Sequence, residues 1–176
     1  MDYTKYFELA DYALDKIETI DPNCIVAGGM PRDIDNGKPV SDIDLFFYVD
    51  PVLTNNQVYT MLTKLGFEII TEKAGENIPE QYKMNPKLMS VFETKVEDIP
   101  VQLMRMSEST FTSVVEQFPL SICQCYYKNG KIKTHNLYKR CKAKKVIVKT
   151  NSIYNSEHAF LQKILTKYND WEYLGD

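Results

Sequence analysis

Gly28-Gly29-Met30-Pro31-Arg32-Asp33, followed by Ser41-Asp42-Ile43-Asp44-Leu45, is the stretch on which the reading of this sequence turns. Cys24-Ile25-Val26-Ala27 before it is a short apolar run, which predicts a buried strand ending at the two glycines. Met30 to Ile34 then opens a short helix with Pro31 in its first turn. From Val40 to Asp50, Ile43, Leu45, Phe47 and Val49 alternate with Asp42, Asp44, Phe46 and Tyr48, which predicts a strand ended by Pro51. Residues two apart on a strand point to one side, so Asp42 and Asp44 share a face with β-carbons within about 7 Å. Two carboxylates so placed repel and are costly to bury unpaired. A divalent metal is the natural partner, because Mg²⁺ binds through one or two carboxylates together with substrate phosphates. Gly28-Gly29 lets a phosphate approach the backbone, and a helix start favours an anion. Arg32 adds a cation for a phosphate or for one of the carboxylates, and Asp33 orients Arg32 or serves as a helix-start acid. Phosphate cradle, cation and paired carboxylates together point to metal-assisted phosphoryl or nucleotidyl transfer.

Outward from this stretch, Tyr6, Leu9, Ala10, Ala13, Ile17 and Ile20 recur at helical steps, and Asp21-Pro22-Asn23 ends that helix. Thr54 caps a helix carrying Val58, Met61, Leu62 and Leu65, stopped by Gly66. Phe67 to Glu72 reads as a strand and Ala74 to Pro86 as a loop. Leu88 to Val96 and Ile99 to Arg105 read as two strands joined by a tight turn, and Ser107 caps a helix reaching about Phe118. Leu120 to Tyr127, Asn129-Gly130 and Lys131 to His135 form a hairpin signal, since Asn-Gly suits a type I′ turn. A short helical piece at Leu137 to Ala143 and a helix from about Ser156 to Tyr168 complete the chain. Neighbouring strands with short turns pair antiparallel. The expected class is α+β: a mixed, largely antiparallel sheet with helices packed mainly on one face.

The chain has 176 residues, 44% of them apolar and 26% charged. That predicts a single domain over 1–176, with a core at about 20–127 and a basic hairpin and C-terminal helix at about 128–170. A chain of this length buries about 70% of its unfolded surface and needs neither disulfide nor metal to fold. No apolar run approaches the ~20 residues of a membrane helix, and Met1-Asp2-Tyr3-Thr4-Lys5 is not the start of a signal peptide. The expectation is a cytoplasmic protein (host cytoplasm if viral) with no membrane partner. Cys24, Cys123, Cys125 and Cys141 read as buried reduced thiols, because C-x-C is not a zinc spacing. His135 and His158 have no ligand partners at metal spacing and read as incidental. The net charge is -3, but Lys128 to Lys149 holds nine basic residues and no acidic one. Tyr126, Tyr127 and Tyr138 lie among those cations, a mixture that binds phosphates and stacks bases. The stretch is therefore expected to wall the substrate phosphates or to meet nucleic acid.

Gly28-Gly29-x-x-Arg32-Asp33 followed by Asp42-Ile43-Asp44 closely resembles the signature of the polymerase-β-like nucleotidyltransferase superfamily, and most of all the head of CCA-adding and bacterial poly(A) polymerases. The basic hairpin and the C-terminal helix with Lys163 and Lys167 resemble small viral and phage nucleotidyltransferases. The resemblance implies that Gly28 and Gly29 hold a triphosphate, such as that of ATP. It implies that Asp42 and Asp44 are catalytic and hold two Mg²⁺ ions, and that an NMP passes from an NTP to an acceptor hydroxyl with pyrophosphate release. Arg32 and Asp33 match family positions at the nucleotide site that stabilise its architecture as much as they touch substrate. The acceptor would be an RNA end, a protein or a small molecule. Two departures stand out. The superfamily supplies a third carboxylate from a neighbouring strand, yet the strand Ile99 to Met104 carries Gln102 there, with Glu97 and Asp98 only at its start. CCA-adding enzymes also carry further helical domains, and only ~130 residues follow the motif here. The alternative is a catalytically degenerate module of the same fold that captures a nucleotide or a partner.

Overall fold

The computed structural model describes residues 1–82, 85–108, 115–150 and 158–175. Helix α1 (Thr4–Ile17) buries Leu9, Ala10, Ala13, Leu14 and Ile17, the stripe its periodicity predicts. Strand β1 (Ile25–Ala27) follows, buried at every position, and then α2 (Gly29–Asp35) and β2 (Ile43–Tyr48). Helix α3 (Asn55–Lys64) opens on a capping box in which Thr54 and Gln57 each accept the other's backbone N–H. Strands β3 (Thr71–Ala74), β4 (Leu88–Val96), β5 (Ile99–Met106), β6 (Cys125–Lys128) and β7 (Lys131–Thr134) come next. Helix α4 (Asn136–Lys144), β8 (Val146–Ile147), α5 (Ala159–Lys167) and β9 (Glu172–Tyr173) complete the described elements.

Seven strands form one sheet in the order β3-β4-β5-β2-β1-β6-β7. Every pairing in it is antiparallel except β2 with β5. Both predicted tight turns form, and each takes two residues at positive φ. These are Glu97 and Asp98 at 47° and 71°, and Asn129 and Gly130 at 51° and 75°. Helices α1 and α3 cover one sheet face, where Ile43, Leu45 and Phe47 meet Leu9, Ala13, Val58 and Leu62. Each large apolar side chain buried there is worth about 1.5–3 kcal/mol. Ile25, Ala27, Phe46, Val91 and Met104 lie on the opposite face. A second cluster joins Leu120, Ile122, Cys125 and Tyr138 to Leu161, Ile164 and Tyr168, and this seats α5 against the end of the sheet. The four cysteines are free and buried, as expected, and burial pushes the Cys24 thiol up to about 12.

Several boundaries differ from the sequence reading. Strand β2 stops at Tyr48 because the Tyr48 N–H bonds to Asp21 Oδ2 (2.8 Å) and not to a neighbouring strand. Phe67 packs into the core, so β3 starts later than expected, at Thr71. The loop at Ala74 to Pro86 includes two short 3-10 turns, Gly75–Asn77 and Glu80–Tyr82. Leu120 to Gln124 is not strand. On its β6 side the three-residue β1 pairs only with Tyr126 and Tyr127, and Ser121–Cys123, beyond that pairing, coils into a 3-10 turn. The helix expected from Ser107 falls largely on residues outside those described, as does the start of the one expected from Ser156. Arg105, which belongs to no motif in the sequence, is buried and donates to Asn55 Oδ1 (2.8 Å) and Leu53 O (2.7 Å), anchoring the start of α3.

Candidate active site

The chain from β1 through β2 brings the predicted residues to one cleft. It is lined by Gly28, Gly29, Arg32, Asp33, Asp42 and Asp44 and closed on its far side by α5. Its volume is about 120 Å³. Gly28 sits at φ 76°, ψ -131°, a backbone conformation open to glycine and strained for other residues. A β-carbon at Gly28 would lie 3.4 Å from Asp44 Oδ2, and one at Gly29 3.4 Å from Arg32 Nη2. The glycine pair thus lets the turn lie against both the carboxylate and the guanidinium.

Arg32 and Asp33 are buried and bound to each other: Nε donates to Oδ1 (2.8 Å) and Nη2 to Oδ2 (3.2 Å). Arg32 Nη1 also points at Cys123 Sγ (3.7 Å), and its guanidinium lies 5.7 Å from the Tyr168 ring centroid. Asp33 accepts two further short bonds from the other end of the chain, from Lys167 Nζ (2.6 Å) and the Tyr168 hydroxyl (2.6 Å). Burial alone would raise the Asp33 pKa. The charge of Arg32 and the bonds from Arg32, Lys167 and Tyr168 outweigh it and hold the carboxyl below its ordinary value. In this structure Arg32 and Asp33 brace the cleft from behind.

Asp44 is in the opposite condition. Burial first, then the charge of Asp42, push its carboxyl well above the usual range, against weaker opposition from Arg32, a hydrogen bond from Tyr82, and Lys163. Asp44 Oδ1 is buried with no hydrogen-bond partner among the described residues. A buried carboxylate with a bare oxygen, facing a second carboxylate, is a hard oxygen donor set of the kind a divalent cation takes. The residues present therefore fit a Mg²⁺-type ion held by Asp42 and Asp44. Among the described residues no group of three His, Cys, Asp or Glu gathers to hold a metal.

The register shows which side chain lies beside Asp44 on the neighbouring strand. On the parallel neighbour β5, Gln102 lies opposite Asp44, and its Oε1 is likewise buried and unpartnered. Glu97 and Asp98 do not replace it. They form the exposed β4–β5 turn, and Glu97 lines a separate cleft with Glu8, Tyr12 and Glu68. Along the same row the next acid is Glu93, opposite Gln102 on β4, two strands or about 10 Å from Asp44 and bound to Lys73 (2.7 Å).

The basic stretch does not wall the cleft: none of its nine cations is among the described lining residues. Lys128 is buried against Cys24 O (2.6 Å) and Glu18 (2.9 Å), and Lys142 pairs with Asp35 (2.7 Å). Lys131, Lys133, Lys139, Arg140 and Lys144 are exposed elsewhere. The lysines at the cleft are Lys163 and Lys167 on α5. Tyr82 and Tyr168 carried no sequence signal, since neither belongs to a spacing pattern.

The fold is nucleotidyltransferase-like. Solved structures agree on the fold. The chain is similar to the Bacillus stearothermophilus CCA-adding enzyme in complex with CTP, at TM-score 0.52 and 13% identity over 88% of this chain and 36% of that one. It is also similar to the Thermotoga maritima CCA-adding enzyme complexed with tRNA, at TM-score 0.54 and 15% identity over 80% of this chain and 32% of that one. A tRNA-processing enzyme complex gives TM-score 0.55 at 12% identity, over 85% of this chain and 40% of that one. The chain thus spans between about a third and two fifths of these enzymes. By sequence, residues 2–145 match the model of the Gabija anti-defense 2 family, and the protein belongs to that family. No curated protein matches the chain.

Proposed function

We propose that this protein is a metal-dependent nucleotidyltransferase that moves an NMP from an NTP to an acceptor hydroxyl and releases pyrophosphate. On this reading, that transfer is the chemistry behind the Gabija anti-defense role its family's description names. The observation that carries it is Asp44, a buried carboxylate with a bare oxygen, beside Asp42 and against the Gly28 turn. Asp42 and Asp44 hold the divalent cations, which when bound neutralise phosphate charge and lower the pKa of the acceptor hydroxyl. Gly28 and Gly29 admit the polyphosphate close to the backbone, while Arg32 and Asp33 keep that turn in place. The acceptor oxygen attacks the α-phosphorus and pyrophosphate leaves. A cleft of about 120 Å³ is below the 300–1,000 Å³ of ordinary ligand pockets, so it takes the phosphates and leaves base and acceptor outside it. An RNA end, a protein or a small molecule would all serve as acceptor. The exposed cations between Lys131 and Lys144 are available to a nucleic-acid acceptor.

The test is incubation of purified protein with each labelled NTP and Mg²⁺, in the presence of cell extract as acceptor source. Labelled acceptor and pyrophosphate are expected. Asp42→Ala and Asp44→Ala should each lower transfer at least ~100-fold, as loss of transition-state charge stabilisation does. The same variants should lose protection of a phage in cells carrying Gabija. Full activity in both variants would sink the reading.

Gln102 favours a second reading, in which the fold binds a nucleotide without transferring it. An amide opposite Asp44 leaves the site one negative charge short of a three-carboxylate centre. That reading expects NTP-dependent thermal stabilisation with no pyrophosphate. Sustained pyrophosphate release eliminates it.

A further inference from the structure

Among the described residues, one of the cations lining the cleft has no hydrogen-bond or ion-pair partner. Three acids and three bases line it: Asp33, Asp42 and Asp44, and Arg32, Lys163 and Lys167. Arg32 and Lys167 both bond to Asp33, at 2.8 Å and 2.6 Å, so neither is free to turn to a ligand without stripping a buried carboxylate. Lys163 makes no hydrogen bond or ion pair with any described residue, though it is close enough for its charge to be felt at Asp44. It stands one helical turn before Lys167 on the same face of α5, and Leu161, Ile164 and Tyr168 anchor that helix in a buried cluster. An exposed lysine is ordinarily held in water by its own entropy. Here the helix beneath it is packed into a buried cluster, and Lys163 is one of the residues that line the cleft.

We propose that Lys163 is the polyphosphate-recognition residue of this site: it binds the β- and γ-phosphates of the NTP and so makes the cleft select a triphosphate over a monophosphate. The inference rests on the nucleotidyltransferase reading and adds to it. With divalent cations on Asp42 and Asp44, the carboxylates are neutralised, and Lys163 is the remaining mobile positive charge among the described cleft residues. Helix α5 lies outside residues 2–145, the segment that matches the family, so this cation is supplied by a part of the chain beyond that match. Lysine meets phosphate as a point charge, which tolerates the small motions of a flexible terminal phosphate.

The experiment is calorimetric binding of ATP and AMP (and of GTP, CTP and UTP should ATP fail) with Mg²⁺ to wild type, Lys163→Gln, Lys163→Arg and Lys5→Gln, an exposed lysine on α1. Lys163 is exposed, and thermal denaturation should show Lys163→Gln folded as stably as wild type. Wild type is expected to bind triphosphate more tightly than monophosphate. Lys163→Gln should weaken triphosphate binding about 10- to 50-fold and AMP binding less than about twofold, in line with loss of a charge-assisted phosphate contact. Lys163→Arg should restore most of it, and Lys5→Gln should bind as wild type. Equal weakening of ATP and AMP by Lys163→Gln, or no weakening of either, overturns the assignment and leaves the transferase reading intact. Failure of wild type to bind any of the four NTPs retires both.

Discussion

Two regions meet at the cleft and are built in opposite ways. Residues 28–44 carry the glycine turn, the brace and the carboxylates within one short stretch. Their charges are strained: Asp44 is pushed toward protonation and keeps a bare buried oxygen. Residues 159–168 carry no acid and no motif, but they bring the ammonium of Lys167 and the hydroxyl of Tyr168 that settle Asp33. The near region holds the carboxylates under electrostatic strain and the far region supplies charges and donors that relieve it. Chemistry of this kind is compact in sequence because one strand and one turn can present it. Its counter-charges come from wherever the fold has a surface to spare.

The largest effect should follow from breaking the near region where it is tightest. Gly28→Ala forces an alanine to φ 76°, ψ -131° and sets its methyl 3.4 Å from Asp44 Oδ2. About 1–3 kcal/mol of backbone strain is expected. Nucleotidyl transfer should fall at least ~100-fold, because relief of the strain moves the turn off Asp44. Near-wild-type turnover would mean that the turn plays no part in the chemistry.

A change at the boundary sharpens the comparison next. Gln102→Glu puts a carboxylate opposite Asp44. Mn²⁺ affinity, read by electron paramagnetic resonance, should tighten about tenfold. Unchanged affinity would place Gln102 outside the reach of the cation.

The smallest effects belong to the far region and should register in stability more than in chemistry. Tyr168→Phe removes a 2.6 Å bond to the buried Asp33 carboxylate. A hydrogen bond to a charged group contributes about 2 kcal/mol, so Tm should drop about 4–8 °C. The carboxyl of Asp33 titrates below its ordinary value in the folded state. Its stabilising contribution is therefore full above the unfolded pKa, near 4, and is lost as pH falls through the lower folded value. Acid unfolding followed by circular dichroism should show this loss in wild type and a shallower one in Asp33→Asn. Equal acid sensitivity in the two would show that Asp33 is not held ionised by its neighbours.

How much of this was readable in advance follows the same division. Asn129-Gly130 announced its hairpin because the turn's dihedrals select those residues. Gly28 to Asp44 announced the cleft because strand periodicity alone puts Asp42 and Asp44 on one side. The turn at Ser121–Cys123 was hidden, since the pairing it lies beyond is with β1, a hundred residues earlier. The run from Lys128 to Lys149 was legible only in part: its cations are plain in the sequence, but Glu18, Asp35 and Asp170, which pair with Lys128, Lys142 and Lys145, lie outside it. Gln102 was seen as a departure, but its place opposite Asp44 depended on the one parallel pairing in the main sheet.

Asp33 and its partners also set a clock. The Tyr168 bond to it spans 135 residues, and the Lys167 bond 134. A ribosome adding 5–20 residues per second needs roughly 7–27 s to cover that distance. Through most of that interval a nascent chain has the glycine turn, Asp42 and Asp44 but lacks the groups that quiet Asp33. Synthesis thus delivers the near half of the cleft first and its bracing half last, so Asp33 should settle only as residue 168 clears the exit tunnel.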